Sequence, residues 1–245
     1  MFQHINPDDS YGPIMPVNAS VGKNVTIHPS TVIGEDVLIG KNTTIEANCT
    51  IEKNTKVGDN CTIGQLCYID EQTIISDNVT ISGRSYVGSE SNILRNCRIS
   101  SRVSIGNRVT IYKECFIGMH TDINDDVEIA PHTRIGRNST IRRGVKLLEP
   151  GSLLPDDTEL TLDPVFLKIE GSIIPVLLTD DRIVIACIDL SIRDWQEVSL
   201  EQALEMDRDN GKVLFENRGT IFKASIEHQD SVAMYRRELK KGGNL

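Results

Sequence analysis

The sequence predicts an all-β parallel helix of about eight triangular coils, followed by a small α+β unit. Three observations predict it. From Val21 to Leu153 every sixth residue is Ile, Val or Leu without a failure. Residue types also recur at three times that period, with Asn24, Asn42, Asn60, Asn78 and Asn96 in one column and Thr26, Thr44, Thr62 and Thr80 in another. The composition is 39% hydrophobic but only 4% aromatic, so the core is aliphatic. A period of six fits neither the 3.6 residues of a helix turn nor two-residue alternation. A short strand plus a corner satisfies it, and three such units close an 18-residue coil whose stacked strands pair in parallel.

The elements follow in order. Residues 1–14 are read as an N-terminal extension. The opening "MFQHINPDDSYGPIMPV" carries no basic leader followed by an apolar run, and no stretch of eighteen apolar residues occurs, which points to a soluble, unexported, cytoplasmic protein. Residues 15–158 carry the repeats. Asparagine in the 24-to-96 column suits corners that need a left-handed backbone, and its amides can bond from coil to coil. Glycine follows the aliphatic at Gly22, Gly40, Gly58, Gly106 and elsewhere, where backbones approach closely. Cys49, Cys61, Cys67, Cys97 and Cys115 occupy fifth places otherwise held mostly by Val, Thr or Ser, and are read as small, reduced core residues.

The rhythm breaks in "LLEPGSLLPDDTELTLDP", and residues 159–245 form the second unit. "SIIPVLLTDDRIVIACI" predicts a hairpin turning near Asp180 and Asp181. "SLEQALEMDRDNG" predicts a short helix capped by Ser199, with Gln202 reaching back and Gly211 closing it. "VLFENRGTIFKASI" predicts another hairpin and "DSVAMYRRELKK" a final helix, with Trp195 anchoring the core.

"VGKNVT", "IGKNTT", "VGDNCT" and "IGNRVT" resemble the hexapeptide-repeat superfamily over residues 15 to about 158. The resemblance implies a left-handed parallel β-helix, a homotrimer, and an acyltransferase drawing on coenzyme A or acyl carrier protein. In such enzymes a histidine commonly stands at the third place of a hexad as general base. No third place here holds histidine, and the nearest stretch, "INDDVE", has Asp125 there. A solvated carboxylate is a poor base at neutral pH. The run "PVLLTDDRIVIACIDLSIRDWQEVSLEQALEMD" resembles a module found after hexapeptide repeats in bacteriophage and prophage proteins, through Cys187, Trp195, Met206 and Asp207. That resemblance implies a virion-associated scaffold with protein partners for the C-terminal unit.

Candidate site residues come from the 18-residue columns. Arg84, Arg102 and His120 share one column, about 4.8 Å apart per coil. Like charges that close repel, and the arginine fork suits phosphate or carboxylate, so a small anionic ligand is expected there, with Tyr86 offering a ring face. His120 is the candidate catalytic base. Leu94, Tyr112 and Leu148 recur along an apolar stripe with Phe116 close by, read as an interface with a sister subunit or the C-terminal segment. No metal is expected, because Asn107 and Tyr112 stand where a zinc site of this fold would need imidazoles. The net charge of −9 argues against bulk nucleic acid and anionic membrane.

Three functions are consistent with these residues: a non-catalytic trimeric scaffold without cofactor, a protein capturing a small anionic ligand between subunits, and an acyltransferase using coenzyme A or acyl carrier protein.

Overall fold

Each hexad folds as a two-residue strand and a four-residue corner. The computed structural model describes residues 1–170, 176–185, 188–206 and 211–241. The chain divides into two compact units, Met1–Asp157 and Thr158–Leu245.

In the first unit the strands form three parallel ladders, one per face of a triangular prism. The first face runs from Ser20–Val21 to Lys146–Leu147, the second from Thr26–Ile27 to Leu153–Leu154, and the third from Val32–Ile33 to Thr140–Ile141. Partners are one coil apart: Thr62 pairs with Thr44 on one side and Thr80 on the other. The second residue of each strand points inward, and Ile63, Ile81, Ile105 and Ile117 are completely buried. This is the aliphatic column that the six-residue period predicts.

The corners explain the remaining places of the hexad. The fourth place is left-handed along nearly the whole prism, with φ between 53° and 63° from Asn24 to Asn138. Asparagine tolerates this conformation, and its amide adds a bond along the column, as from Asn24 Nδ2 to Asn42 Oδ1 at 3.2 Å and from Asn42 to Asn60 at 3.0 Å. Several fifth places hold a small donor that meets a carbonyl of the next coil. Thr43 donates to Gly58 O at 2.9 Å, Cys61 to Ser76 O at 3.1 Å and Cys115 to Ala130 O at 3.1 Å. The five cysteines of the repeats are free and buried, as expected. Burial pushes the Cys61 thiol up, which keeps it a neutral donor. Glycine at the second place answers a close approach: a Cβ on Gly22 would stand 2.6 Å from the backbone nitrogen of Lys41.

Two features of the first unit depart from the sequence reading. The inward residue after Leu147 is Leu154, 4% exposed, whereas Leu153 faces outward at 40%. One extra residue widens that corner, where Gly151 takes φ 77°. The repeat therefore continues past Leu153 in a shifted register, and the coils carry one single-residue insertion where none was expected. The N-terminal residues also do more than extend the chain. Phe2–Ile5 and Tyr11–Met15 pair as an antiparallel hairpin over the first coil. Asn6 Oδ1 accepts from the backbone N–H of Ile27 at 2.8 Å, and Met15 is fully buried.

In the second unit four antiparallel strands, Val165–Leu167, Val176–Leu178, Arg182–Ile185 and Ile188–Ser191, lie in sequence order. The turn at Asp180 and Asp181 joins the second and third, as predicted. Helices α1 (Ile192–Gln196), α2 (Leu200–Met206), α3 (Gly211–Glu216) and α4 (Arg218–Lys241) follow. At the start of α2 the backbone of Ser199 donates to Gln202 Oε1 at 2.8 Å and the backbone of Gln202 to Ser199 Oγ at 3.2 Å, the expected reciprocal cap. Trp195 is buried and its indole N–H donates to Arg218 O at 3.3 Å.

The hairpin expected in "VLFENRGTIFKASI" is instead α3 and the start of α4, and Gly211 opens α3 and does not close α2. Among the described side chains of α4 the buried ones are Ile221, Ser225, His228 and Val232, spaced four, three and four. Two of these four are polar, so hydropathy alone hid the helical period. Among the described residues no helix is long and apolar enough to cross a membrane.

Candidate functional site

The left-handed corner between the second and third faces carries the candidate column. Arg84 (φ 63°), Arg102 (φ 59°) and His120 (φ 61°) occupy successive fourth places and are exposed. The corner geometry drives these side chains outward, while the residue after each of them, Ser85, Val103 or Thr121, points into the core. Arg102 Nη1 lies 3.4 Å from His120 Nε2. Arginine has no acceptor, so this contact needs a lone pair on Nε2 and the ring proton on Nδ1. No ion pair engages Arg84 or Arg102 among the described residues. The column therefore holds two guanidinium groups without a carboxylate partner, with His120 Nε2 as an acceptor beside one of them.

Tyr86 lies on the third face, two residues beyond Arg84. Its ring stacks on Tyr68, with centroids 5.7 Å apart and planes 16° apart, so one face of each ring is already covered. The Tyr86 hydroxyl donates to Asp70 Oδ2 at 3.1 Å and the Tyr68 hydroxyl to Glu52 Oε1 at 3.0 Å. Burial and then the Glu52 carboxylate push the Tyr68 phenol up to about 12, and burial and Asp70 act on Tyr86 in the same direction. Both phenols are hydrogen-bond donors at neutral pH and neither is poised as a base.

Asp125 has a structural task. Its Oδ1 accepts from the backbone N–H of Asn107 at 2.8 Å, in the manner that Asp59 serves Lys41 and Asp77 serves Asp59. Third-place Asp and Asn side chains thus splice coil to coil. Of the other histidines in the repeats, His132 Nδ1 faces Glu114 Oε2 at 3.1 Å and His28 Nδ1 faces Ser30 Oγ at 2.8 Å. His120 is the histidine of the prism held beside a cation.

The expected interface residues are placed unequally. Tyr112 is 36% and Leu148 56% exposed, Leu94 and Phe116 are half-buried, and Ala130 is buried within the stripe. The stripe is accordingly interrupted. Phe116 lies on the second face with the Arg134 guanidinium 5.1 Å above its ring. Among the described residues no group of three or more His, Cys, Asp or Glu is arranged to hold a metal ion.

The second unit has a polar cluster that the sequence did not disclose. Asp180 is buried, and both its oxygens accept from the backbone of Thr161 at 3.0 Å, while Arg236 Nη2 donates to it at 2.9 Å. Burial pushes its carboxyl up, against those bonds. Arg236 also meets Glu159 at 3.1 Å, and an open cleft of about 510 Å³ adjoins it, lined by Asp181, Asp230, Arg237 and Lys240 among others. The only sequence signal was the spacing of polar residues along α4. Of the residues behind the phage-module resemblance, Cys187 and Asp207 lie outside the described residues.

A family profile described as "GMPPB C-terminal domain" matches residues 14–119. No curated protein sequence matches the chain. Among solved structures, UDP-N-acetylglucosamine acyltransferase from Campylobacter jejuni is similar at 20% identity and a TM-score of 0.53, over 60% of this chain and 64% of that one. The chain thus spans less than two thirds of that enzyme's length. UDP-N-acetylglucosamine O-acyltransferase from Moraxella catarrhalis RH4 aligns over 89% of this chain and 93% of that one, at 15% identity and a TM-score of 0.43. The Arabidopsis UDP-N-acetylglucosamine acyltransferase aligns over 89% and 91%, at 16% identity and a TM-score of 0.38. What the Campylobacter likeness establishes is the fold, a parallel β-solenoid.

Proposed function

We propose that the solenoid is an acyl-transfer catalyst that moves an acyl group from coenzyme A or acyl carrier protein to a hydroxyl or amine of a sugar. The observation that carries the reading is the contact between Arg102 and His120, an imidazole whose Nε2 lone pair is freed when that guanidinium turns to a phosphate of the donor. His120 is the general base. It takes the proton of the acceptor O–H or N–H as that atom attacks the thioester carbonyl carbon. The carbon–sulfur bond then breaks and the departing thiolate receives the proton. Arg84 and Arg102 hold the donor's phosphates, and Tyr86 offers its remaining ring face. The likeness of the fold to an acyltransferase, the Campylobacter enzyme, supports this reading over a bare scaffold. A homotrimer is part of it, with Tyr112, Leu148, Leu94 and Phe116 toward the sister subunit.

A second reading, ligand capture or scaffolding without turnover, is favoured by one observation. Asp125, at the place where a catalytic histidine would stand, is occupied in splicing coils.

The test is thiol release from a panel of acyl-CoA thioesters with UDP-N-acetylglucosamine or free amino sugars as acceptor. Wild-type protein is expected to release thiol, and His120→Ala to slow it by roughly a hundredfold with the circular dichroism spectrum unchanged. No release with any donor, or equal rates in both proteins, removes the transferase reading. Ligand binding that depends on Arg84 and Arg102 without turnover then favours capture.

A further inference from the structure

The hairpin that closes the first coil has two unlike faces. Toward the coil it makes specific bonds: His4 Nε2 lies 3.1 Å from Val25 O, Asn6 meets both the N–H and the carbonyl of Ile27, and Met15 is fully buried. Cross-strand partners share a face, and the pairs Ile5 with Tyr11 and Gln3 with Ile14 fall on the opposite one. That side is apolar and open. Ile5, Tyr11 and Ile14 are 48%, 70% and 65% exposed, and Val17, at the corner that follows, is 78% exposed. Residues 1–22 contain no Lys or Arg, and their only carboxylates are Asp8 and Asp9 in the hairpin turn. The cap thus covers the end of the ladders and turns an uncharged surface of its own away from the prism.

We infer that this face joins a second copy of the chain, cap to cap across a two-fold axis, with the two prisms running away from each other. Area, charge and symmetry select that occupant. At these exposures Ile5, Tyr11, Ile14 and Val17 present on the order of 500 Å², which matches the apolar share of the ~800 Å² that each partner gives to a standard interface. Without Lys or Arg the face has nothing to draw an anionic lipid surface or a polyanion, and nothing to repel an identical face. A two-fold through the centre of the hairpin sets the Asp8–Asp9 turns of the two copies at opposite ends, so the acidic turns do not meet. Each prism has one such cap, and the contact closes at two without propagating. The inference does not rest on acyl transfer, since none of these residues belongs to the proposed site.

The test is the particle mass of the purified chain by sedimentation equilibrium over a concentration series. Wild-type protein is expected to have twice the mass of Tyr11→Glu/Ile14→Glu at the same concentration, whether the half-particle is one chain or a ring of three. Met234→Glu, which puts the same charge on an exposed apolar residue of α4, is expected to keep the wild-type mass. Circular dichroism and thermal melting separate lost association from lost fold, and Tyr11→Ser/Ile14→Ser serves if the charged variant fails to fold. Equal masses of wild type and cap variants, or an equal loss in Met234→Glu, overturn the inference. Flotation of the wild type with phosphatidylcholine vesicles, lost in the cap variant and seen without a doubled mass, overturns it in favour of a membrane surface.

Discussion

Asn6 brackets the backbone of Ile27, accepting its N–H through Oδ1 at 2.8 Å and donating from Nδ2 to its carbonyl at 3.3 Å. It stands where a strand of a preceding coil would otherwise pair. A solenoid end exposes a row of unpaired backbone groups, and such edges invite association with other chains. Asn6→Ala removes both bonds and leaves buried backbone groups unsatisfied. It is expected to cost about 1–3 kcal/mol in chemical denaturation and to increase self-association by light scattering.

The corner residues make a prediction of the opposite sign. Leu66 takes φ 60° in a place where Asn48, one coil earlier, sits without strain. Leu66 is also 46% exposed, so little packing is lost on replacing it. Leu66→Asn is expected to stabilise by about 1 kcal/mol, measured as a raised denaturation midpoint with an unchanged slope.

The inward column tolerates no charge. Ile63 and Ile105 are completely buried with aliphatic neighbours one coil above and below. Aspartate at either position buries an unpaired carboxylate at a cost of several kcal/mol, and soluble expression is expected to fail.

Cys61 is the mild counterpart. Its thiol donates to Ser76 O at 3.1 Å, as the Thr43 hydroxyl donates to Gly58 O one coil earlier. A serine hydroxyl can make the same bond, so Cys61→Ser is expected to shift stability by less than about 1 kcal/mol, whereas Cys61→Val leaves the carbonyl without that donor and costs more. Severe loss of function in Cys61→Ser with intact fold would contradict a structural role.

The second unit is expected to respond to pH. Burial holds His228 below its ordinary value near 6.5, so the unfolded chain binds the proton more readily. Stability from this group is present above about 6.5 and is lost as pH falls below it. Asp180 acts the other way in a lower window: its raised carboxyl means that protonation, beginning above the ordinary aspartate value of 3.8, favours the folded form. Melting of the second unit is therefore expected to soften between pH 7 and 5, and His228→Gln to flatten that decline. An unchanged slope in the variant rules out His228 as the cause.

The prism was legible because its information is one-dimensional. A residue's place in the hexad decides whether it points inward, turns the corner or faces outward, so the identities of Ile63, Asn42 and Cys61 declared their roles before any coordinates. The candidate column was legible for the same reason, since Arg84, Arg102 and His120 fall in one line through spacing alone. What the spacing left open is which side chains turn toward which neighbours. The bond from Tyr86 to Asp70 and the task of Asp125 depend on rotamers across coils.

By itself, then, the sequence determined the repeat, its aliphatic core and its corner chemistry, because each depends on contacts at a constant separation of 18 residues. Only tertiary structure decided the rest. The cap formed by Asn6, the shifted register at Leu154, the helical identity of α3 and α4 and the Asp180–Arg236 tie across 56 residues arise from contacts without a period.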